Sequence, residues 1–141
     1  MKVAKLKRYA ARGDKGELLD EVRLVTDYGL EGNYIGGGLK QICLQSEEAQ
    51  NWMNEQTTRG LCFERFNENI LISGLDSSLL PIGTLLSIGE ATLKVTASKP
   101  CFDECILHSN NLLCRLSSDA KFLSVVEGGL VKVGDTLSIL D

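Results

Sequence analysis

Short apolar runs recur along the chain with glycine or polar turn signals between them. They cover Lys2 to Tyr9, Glu17 to Thr26, Lys40 to Leu44, Ile70 to Ser73, Thr84 to Ile88, Ala91 to Ala97, Lys121 to Val126, Leu130 to Val133 and Thr136 to Leu140. Runs of this length predict strands that fold as a sandwich or as a closed or partly open β-barrel. The clearest hairpin joins Leu85–Ile88 to Ala91–Thr96 through Gly89-Glu90, where glycine at the first loop position permits a type II′ turn. Leu93 and Val95 then share one face. A second turn is expected at Val133-Gly134-Asp135-Thr136, leading into a last strand.

One stretch has helical rather than alternating spacing. Ser46 can cap it, Glu47 and Glu48 suit the positive end of its dipole, and Ala49, Trp52 and Met53 follow at i, i+3, i+4. Gly60 is expected to stop it, and Trp52 with Met53 reads as a core stripe. From residue 103 to residue 116 a short helix and an irregular loop fit equally well. The expectation is a mainly β fold with one or two short helices.

With 141 residues and no repeat, linker or low-complexity tract, residues 1–141 form one domain. Fifteen Lys and Arg against nineteen Asp and Glu leave a net charge of −4, which argues against broad nucleic-acid binding. The apolar runs fall well short of a bilayer span. The basic start (Lys2, Lys5, Lys7, Arg8) has no secretory apolar segment behind it, so a cytoplasmic location is expected. An odd number of cysteines, five, fits a reducing compartment, where thiols serve metals or catalysis.

The cysteines also carry the most unusual pattern. Cys101, Cys105 and Cys114 bracket the only histidine, His108. If 101–105 is helical, Cys101, Cys105 and His108 lie on one face. Such a Cys3His set suits tetrahedral zinc, though its spacing is not that of a C-x2-C pair. The same thiols also read as small buried hydrophobes, or as a nucleophile or sulfur acceptor. Lys99 favours a thiolate at Cys101, whereas Asp103 and Glu104 oppose it. Pro100 holds Lys99 extended, so the strand from Ala91 leads into a turn that presents Cys101 at its end. Cys43 and Cys62 lie in apolar, strand-like surroundings and are assigned to the core.

Gly36, Gly37 and Gly38 with Lys40 form a glycine-rich loop that can cradle an anion or simply supply positive-φ turns. It has neither Walker order nor a surrounding βαβ unit. Phe66-Asn67-Glu68-Asn69-Ile70 reads as a turn in which Glu68 or Asn69 bonds nearby backbone. A single histidine and no paired carboxylates give hydrolytic chemistry little support.

A series of short motifs runs along the chain: Gly29-Leu30-Glu31-Gly32, Lys40-Gln41, Phe66-Asn67-Glu68-Asn69-Ile70, Gly74-Leu75-Asp76, Leu80-Pro81-Ile82-Gly83, Ile88-Gly89, Lys99-Pro100-Cys101, Val125-Val126-Glu127-Gly128-Gly129 and Val133-Gly134-Asp135. Taken in that order, these motifs together resemble the MOSC domain, named for the C-terminal domain of molybdenum cofactor sulfurase. The resemblance runs from Lys2 to Leu140 and implies a β-barrel with a few helices. It matches Cys101 to the family's characteristic cysteine, which is thought to carry sulfane sulfur or to meet the molybdenum centre. Two departures stand out. Asn33 and Ile35 replace the Asp and His of a Gly-Asp-x-His pattern, and Lys40 replaces an arginine whose bidentate fork lysine cannot reproduce.

The resemblance implies a domain that binds a molybdenum-pterin cofactor or carries sulfur on Cys101. Cys105 or Cys114 would resolve the persulfide, and Lys40, Gly36, Gly37, Gly38, Asn69 and Lys99 would hold the ligand. With no room for a desulfurase module, sulfur is expected from a cysteine desulfurase or another molybdenum-cofactor protein. The alternative is a zinc or partner-binding module on Cys101, Cys105, Cys114 and His108. A third reading is a molybdenum-dependent reductase of N-hydroxylated compounds.

Overall fold

The apolar runs become strands wherever alternate residues find a common core. The computed structural model describes residues 1–102 and 104–140. Within them the larger sheet contains β1 (Lys2–Arg8), β2 (Glu17–Leu19), β5 (Ile42–Ser46), β6 (Ile70–Ser73), β7 (Leu85–Ile88), β8 (Ala91–Ser98), β9 (Lys121–Glu127) and β11 (Leu137–Ile139). Its strand order is β11-β7-β8-β9-β5-β6-β1-β2. The smaller sheet contains β3 (Glu21–Val25), β4 (Gly29–Leu30) and β10 (Gly129–Lys132), in the order β10-β3-β4. One apolar cluster draws on both sheets: Leu6, Ile42, Leu44, Ile70, Leu93 and Val95 from the larger, Val22, Leu24 and Val131 from the smaller. Each such side chain contributes about 1.5–3 kcal/mol by leaving water.

The larger sheet does not close into a barrel. Its ladder ends at β11 and β2, and the start of β1 meets the approach to β11 through one isolated bridge, Lys2 to Thr136. Hydrogen bonds from Val3 N to Asp135 O (2.8 Å) and from Leu137 N to Met1 O (2.9 Å) flank that bridge. The expected single strand Glu17 to Thr26 breaks at Asp20. Its first part pairs with β1 and its second joins β10 in the other sheet. The inward alternation explains the break: Val22 and Leu24 are buried, while Leu18 is 65% exposed.

The hairpin at Gly89-Glu90 forms as expected, with Ile88 opposite Ala91 and Leu86 opposite Leu93. Gly89 has φ +56, and a Cβ there would lie 2.7 Å from the Leu130 carbonyl, so a side chain is excluded on two grounds.

Between β5 and β6 the chain runs through α1 (Glu47–Glu55), the crossover that a parallel pair requires. Ser46 Oγ accepts from Ala49 N at 3.0 Å, as the cap predicted. The helix stops well before Gly60, however. Gln56 is already extended, two threonines with poor helix propensity follow, and the Arg59 guanidinium returns to donate to the Met53 carbonyl. Gly60 instead lies against Phe63, whose ring would sit 2.7 Å from an added Cβ.

The ambiguous stretch forms α2 (Ile106–Ser109) and α3 (Arg115–Asp119), so the described residues hold three short α-helices rather than one or two. Asp103 lies outside the described residues. Cys105 is the extended N-cap of α2, and the helical spacing proposed for Cys101 and Cys105 is not realised. A second apolar cluster outside the main core explains this. It buries Met53, Phe63, Cys105, Leu107, Leu116 and Ala120, with Trp52 meeting Phe63 edge-on at 5.7 Å. Among the described residues no helix is long and apolar enough to cross a membrane.

Removing the cap in Ser46→Ala is expected to cost about 1 kcal/mol. Urea unfolding should show a lower midpoint with an unchanged slope.

Candidate functional site

Residues of β5 alternate between the main core and the outer face of the sheet. Ile42 and Leu44 point inward, and Cys43 faces outward opposite its register partner on β9, Phe122. Both line a cavity of about 410 Å³, a size common for small-molecule sites. Phe66 and Phe102 add further aromatic wall, and Lys40, Arg65 and Lys99 supply positive charge. Among the described residues lining it there is no carboxylate.

Asn69 holds the cavity's floor together. Its N–H donates to Cys43 O (2.9 Å) and its Oδ1 accepts from Cys43 N (3.0 Å), so one residue binds both polar groups of a β5 residue. On the other side Lys7 N donates to Asn69 O (2.8 Å), and Asn69 Nδ2 donates to Lys7 O (3.2 Å). Nδ2 also donates to Asn33 Oδ1 at 3.3 Å, which accepts from Tyr9 N at 2.9 Å as well. Glu68 accepts from Lys7 Nζ (2.9 Å) and Gln50 Nε2 (2.7 Å). The expected local turn at residues 66–70 is thus a long-range clamp, because the nearest unpaired backbone belongs to other strands.

Lys99 reaches the cavity because β8 carries a bulge. The register shifts between Val95 and Ala97, and the Thr96 hydroxyl is used on the carbonyls of Leu39 and Phe122. A bulge re-aims the strand end. Lys99 Nζ then donates to Cys62 Sγ at 3.2 Å and to Pro100 O at 2.9 Å, and lies 5.0 Å from the Phe102 ring centre. The Lys99 ammonium therefore bonds the sulfur of Cys62 rather than that of Cys101. Lys40 lies over the Phe122 ring at 5.1 Å.

Beside the cavity is a narrow crevice lined by Cys62, Cys101, Cys105 and Cys114, and the two spaces share Leu61, Cys62, Lys99 and Phe102. Cys101 is exposed, its Sγ 3.7 Å from His108 Nδ1. Cys105 is buried, and its Sγ accepts from Leu61 N at 3.3 Å. That amide holds the Cys105 thiol below its ordinary pKa against the opposing effect of burial. Cys114 is half-buried at the start of α3. Cys43 is buried as expected, but against the cavity rather than within the main apolar cluster, and burial pushes its pKa well above the ordinary range. Burial also raises Tyr9, which keeps its phenolic proton.

Of the expected ligand-holding residues, Lys40, Asn69 and Lys99 line the cavity. Gly36, Gly37 and Gly38 do not: Gly37 N donates to Tyr28 O (2.7 Å), Gly38 O accepts from Gln41 Nε2 (2.9 Å), and Gly36 lies against the Tyr28 ring. Among the described residues no three of His, Cys, Asp and Glu are grouped to hold a metal ion, so Cys101, Cys105, Cys114 and His108 are not gathered into a zinc site. Sequence reasoning missed Arg65 and Cys62. Cys62 is in a turn, not a strand, and half-buried rather than core. Arg65 had a signal in retrospect: it precedes the motif Phe66–Ile70 that anchors the cavity.

Asn69→Ala should destabilise the fold by about 1–3 kcal/mol, the cost of leaving a buried backbone group unpaired. Denaturant titration reads this directly. For Cys105 the folded pKa lies below the unfolded value, so the unfolded state binds more protons between the two. Stability from this group is fully present above the unfolded pKa and is lost as pH falls through the folded one. The stability difference between the parent and Cys105→Ala should therefore grow as pH rises from neutral into the ordinary thiol range, as measured by urea titrations across pH.

Comparison with known folds places this arrangement. A crystal structure of a hypothetical protein aligns with TM-score 0.71 at 23% identity, covering 100% of this chain and 67% of that one. YiiM from Escherichia coli aligns with TM-score 0.65 at 22% identity, over 100% and 70% of the two chains. YuaD from Bacillus subtilis aligns with TM-score 0.67 at 18% identity, over 98% and 94%. Identities this low speak for the fold alone. No curated protein matches the sequence. The MOSC domain model matches residues 31–138, a span that holds β5 through β10, the cavity's three cations and Cys101, and the chain belongs to the MOSC domain family.

Proposed function

We propose that this domain holds an anionic molybdenum-pterin ligand in the cavity and carries sulfane sulfur on Cys101. The MOSC family is associated with molybdenum-cofactor biology. The observation that carries the reading is charge: in a chain of net charge −4, the described residues lining the cavity include Lys40, Arg65 and Lys99 and no carboxylate. Cations beside aromatic walls fit a planar heterocycle bearing an anionic tail. When bound, such a cofactor supplies a metal centre able to accept sulfur. The chain's own residues bind its charge, exclude water with Phe66, Phe102 and Phe122, and present a thiol next door.

Sulfur loading needs a persulfide donor, for which a cysteine desulfurase is the chemical class. Cys101 Sγ attacks the donor's terminal sulfur, a new S–S bond forms, the donor's S–S bond breaks, and the donor cysteine leaves as a thiol. His108 Nδ1, 3.7 Å from Cys101 Sγ, is placed to receive the proton Cys101 gives up. An exposed position suits a thiol that must meet a second protein.

Incubation with a cysteine desulfurase and free cysteine should add one sulfur to the chain, located on Cys101 at early times by peptide mass spectrometry. Cys101→Ala should not acquire it. No adduct, or a variant that behaves like the parent, overturns the carrier role. For the cavity, Lys40→Glu combined with Arg65→Glu should weaken binding of a phosphorylated pterin by at least about tenfold in a fluorescence titration, a loss of about 1.4 kcal/mol. Unchanged affinity overturns the assignment.

A further inference from the structure

Cys62 is the one cysteine that lines both the cationic cavity and the crevice of Cys101. The other four differ from it in informative ways. Cys43 faces the cavity only, and its burial keeps the thiol protonated. Cys101, Cys105 and Cys114 line the crevice only. Cys105 is further committed to the Leu61 amide and to the outer apolar cluster. Cys62 is half-buried and receives a hydrogen bond from the Lys99 ammonium at 3.2 Å. Lys99 lines the same two spaces and stands two residues before Cys101. A thiol, a cation and a shared wall thus lie between an exposed sulfur acceptor and a site for an anion.

We propose that Cys62 is the inner station of a two-thiol relay, taking sulfane sulfur from Cys101 and presenting it inside the cavity. This rests on the sulfur-carrier reading of Cys101. In the transfer the Cys62 sulfur attacks the terminal sulfur of the Cys101 persulfide. The bond between Cys101 Sγ and that sulfur breaks, a bond to Cys62 Sγ forms, and Cys101 takes back the proton that Cys62 releases. One persulfide and one thiol become one thiol and one persulfide, so no outside oxidant or reductant is needed. The Lys99 ammonium acts as a positioning residue, since a charge-assisted hydrogen bond favours the anionic sulfur that the persulfide presents. The reason for a relay is spatial: Cys101 is open to a donor but does not line the cavity, whereas Cys62 lines the cavity and is only half exposed.

The test uses the full chain and glutathione persulfide as donor, with samples alkylated at successive times and the added sulfur located by peptide mass spectrometry. The expected result is sulfur on Cys101 first and on Cys62 later, the second rising as the first falls. Cys62→Ser should retain sulfur on Cys101. Cys101→Ala should load Cys62 at least about tenfold more slowly, a barrier higher by about 1.4 kcal/mol. Lys99→Met, which leaves both thiols in place and keeps the test open should Cys62→Ser fail to fold, should lower the ratio of sulfur on Cys62 to sulfur on Cys101. Sulfur that loads Cys101 and never reaches Cys62 overturns the relay and leaves the carrier reading standing. Loading of Cys62 in Cys101→Ala at the parent rate also overturns it. A Cys101 that takes no sulfur overturns the carrier reading, and the relay with it.

Discussion

Asn69 stands where β6 must begin between a parallel neighbour and an antiparallel one, and its amide satisfies the backbone of both. The two pairings place hydrogen bonds differently along a strand. A side chain that both accepts and donates can bridge the mismatch, and a carboxylate or an aliphatic group cannot. With Cys43 held on one side and Lys7 on the other, β5 keeps Cys43 against the cavity. The same amide reaches Asn33, which secures the loop whose Tyr34 and Ile35 line the cavity.

Charge is sorted over the surface by the same packing. The ion pairs found among the described residues use Lys7 with Glu68, Arg8 with Glu17 and Arg59 with Glu64. The cavity's lysines rest instead on aromatic faces, Lys40 on Phe122 and Lys99 on Phe102. An aromatic ring steadies an ammonium without cancelling its charge. An acidic protein thereby keeps a local positive field, sheltered on one side by low-dielectric walls.

Local rules were legible where they act on neighbours in sequence. The Ser46 cap, the Gly89 turn and the inward pairing of Leu93 with Val95 each depend on residues a few positions apart, and each is seen. The family was legible in the order of short motifs. The break at Asp20 was not, because both halves of Glu17 to Thr26 read as strand and only the choice of partner separates them. Asn33 was legible as a departure from Gly-Asp-x-His but not in its role. Its Oδ1 accepts from Tyr9 N while its Nδ2 donates to Ile35 O at 3.1 Å, a second bond that an aspartate could not make. Cys62 was misplaced because its apolar neighbours Leu61 and Phe63 resemble a strand, while the chain there turns under α2 and α3.

By itself the sequence determined the strand rhythm, the one capped helix, the mildly acidic balance and the family, since these depend on residue type and short spacing. Only the tertiary structure decided that the large sheet stays open and that Lys40, Arg65 and Lys99 face one cavity. It alone set Cys62 rather than Cys105 or Cys114 between that cavity and Cys101. These are facts about which distant segments pack together, and such contacts are set by shape and by the need to pair every buried backbone group, not by the spacing of residues along the chain.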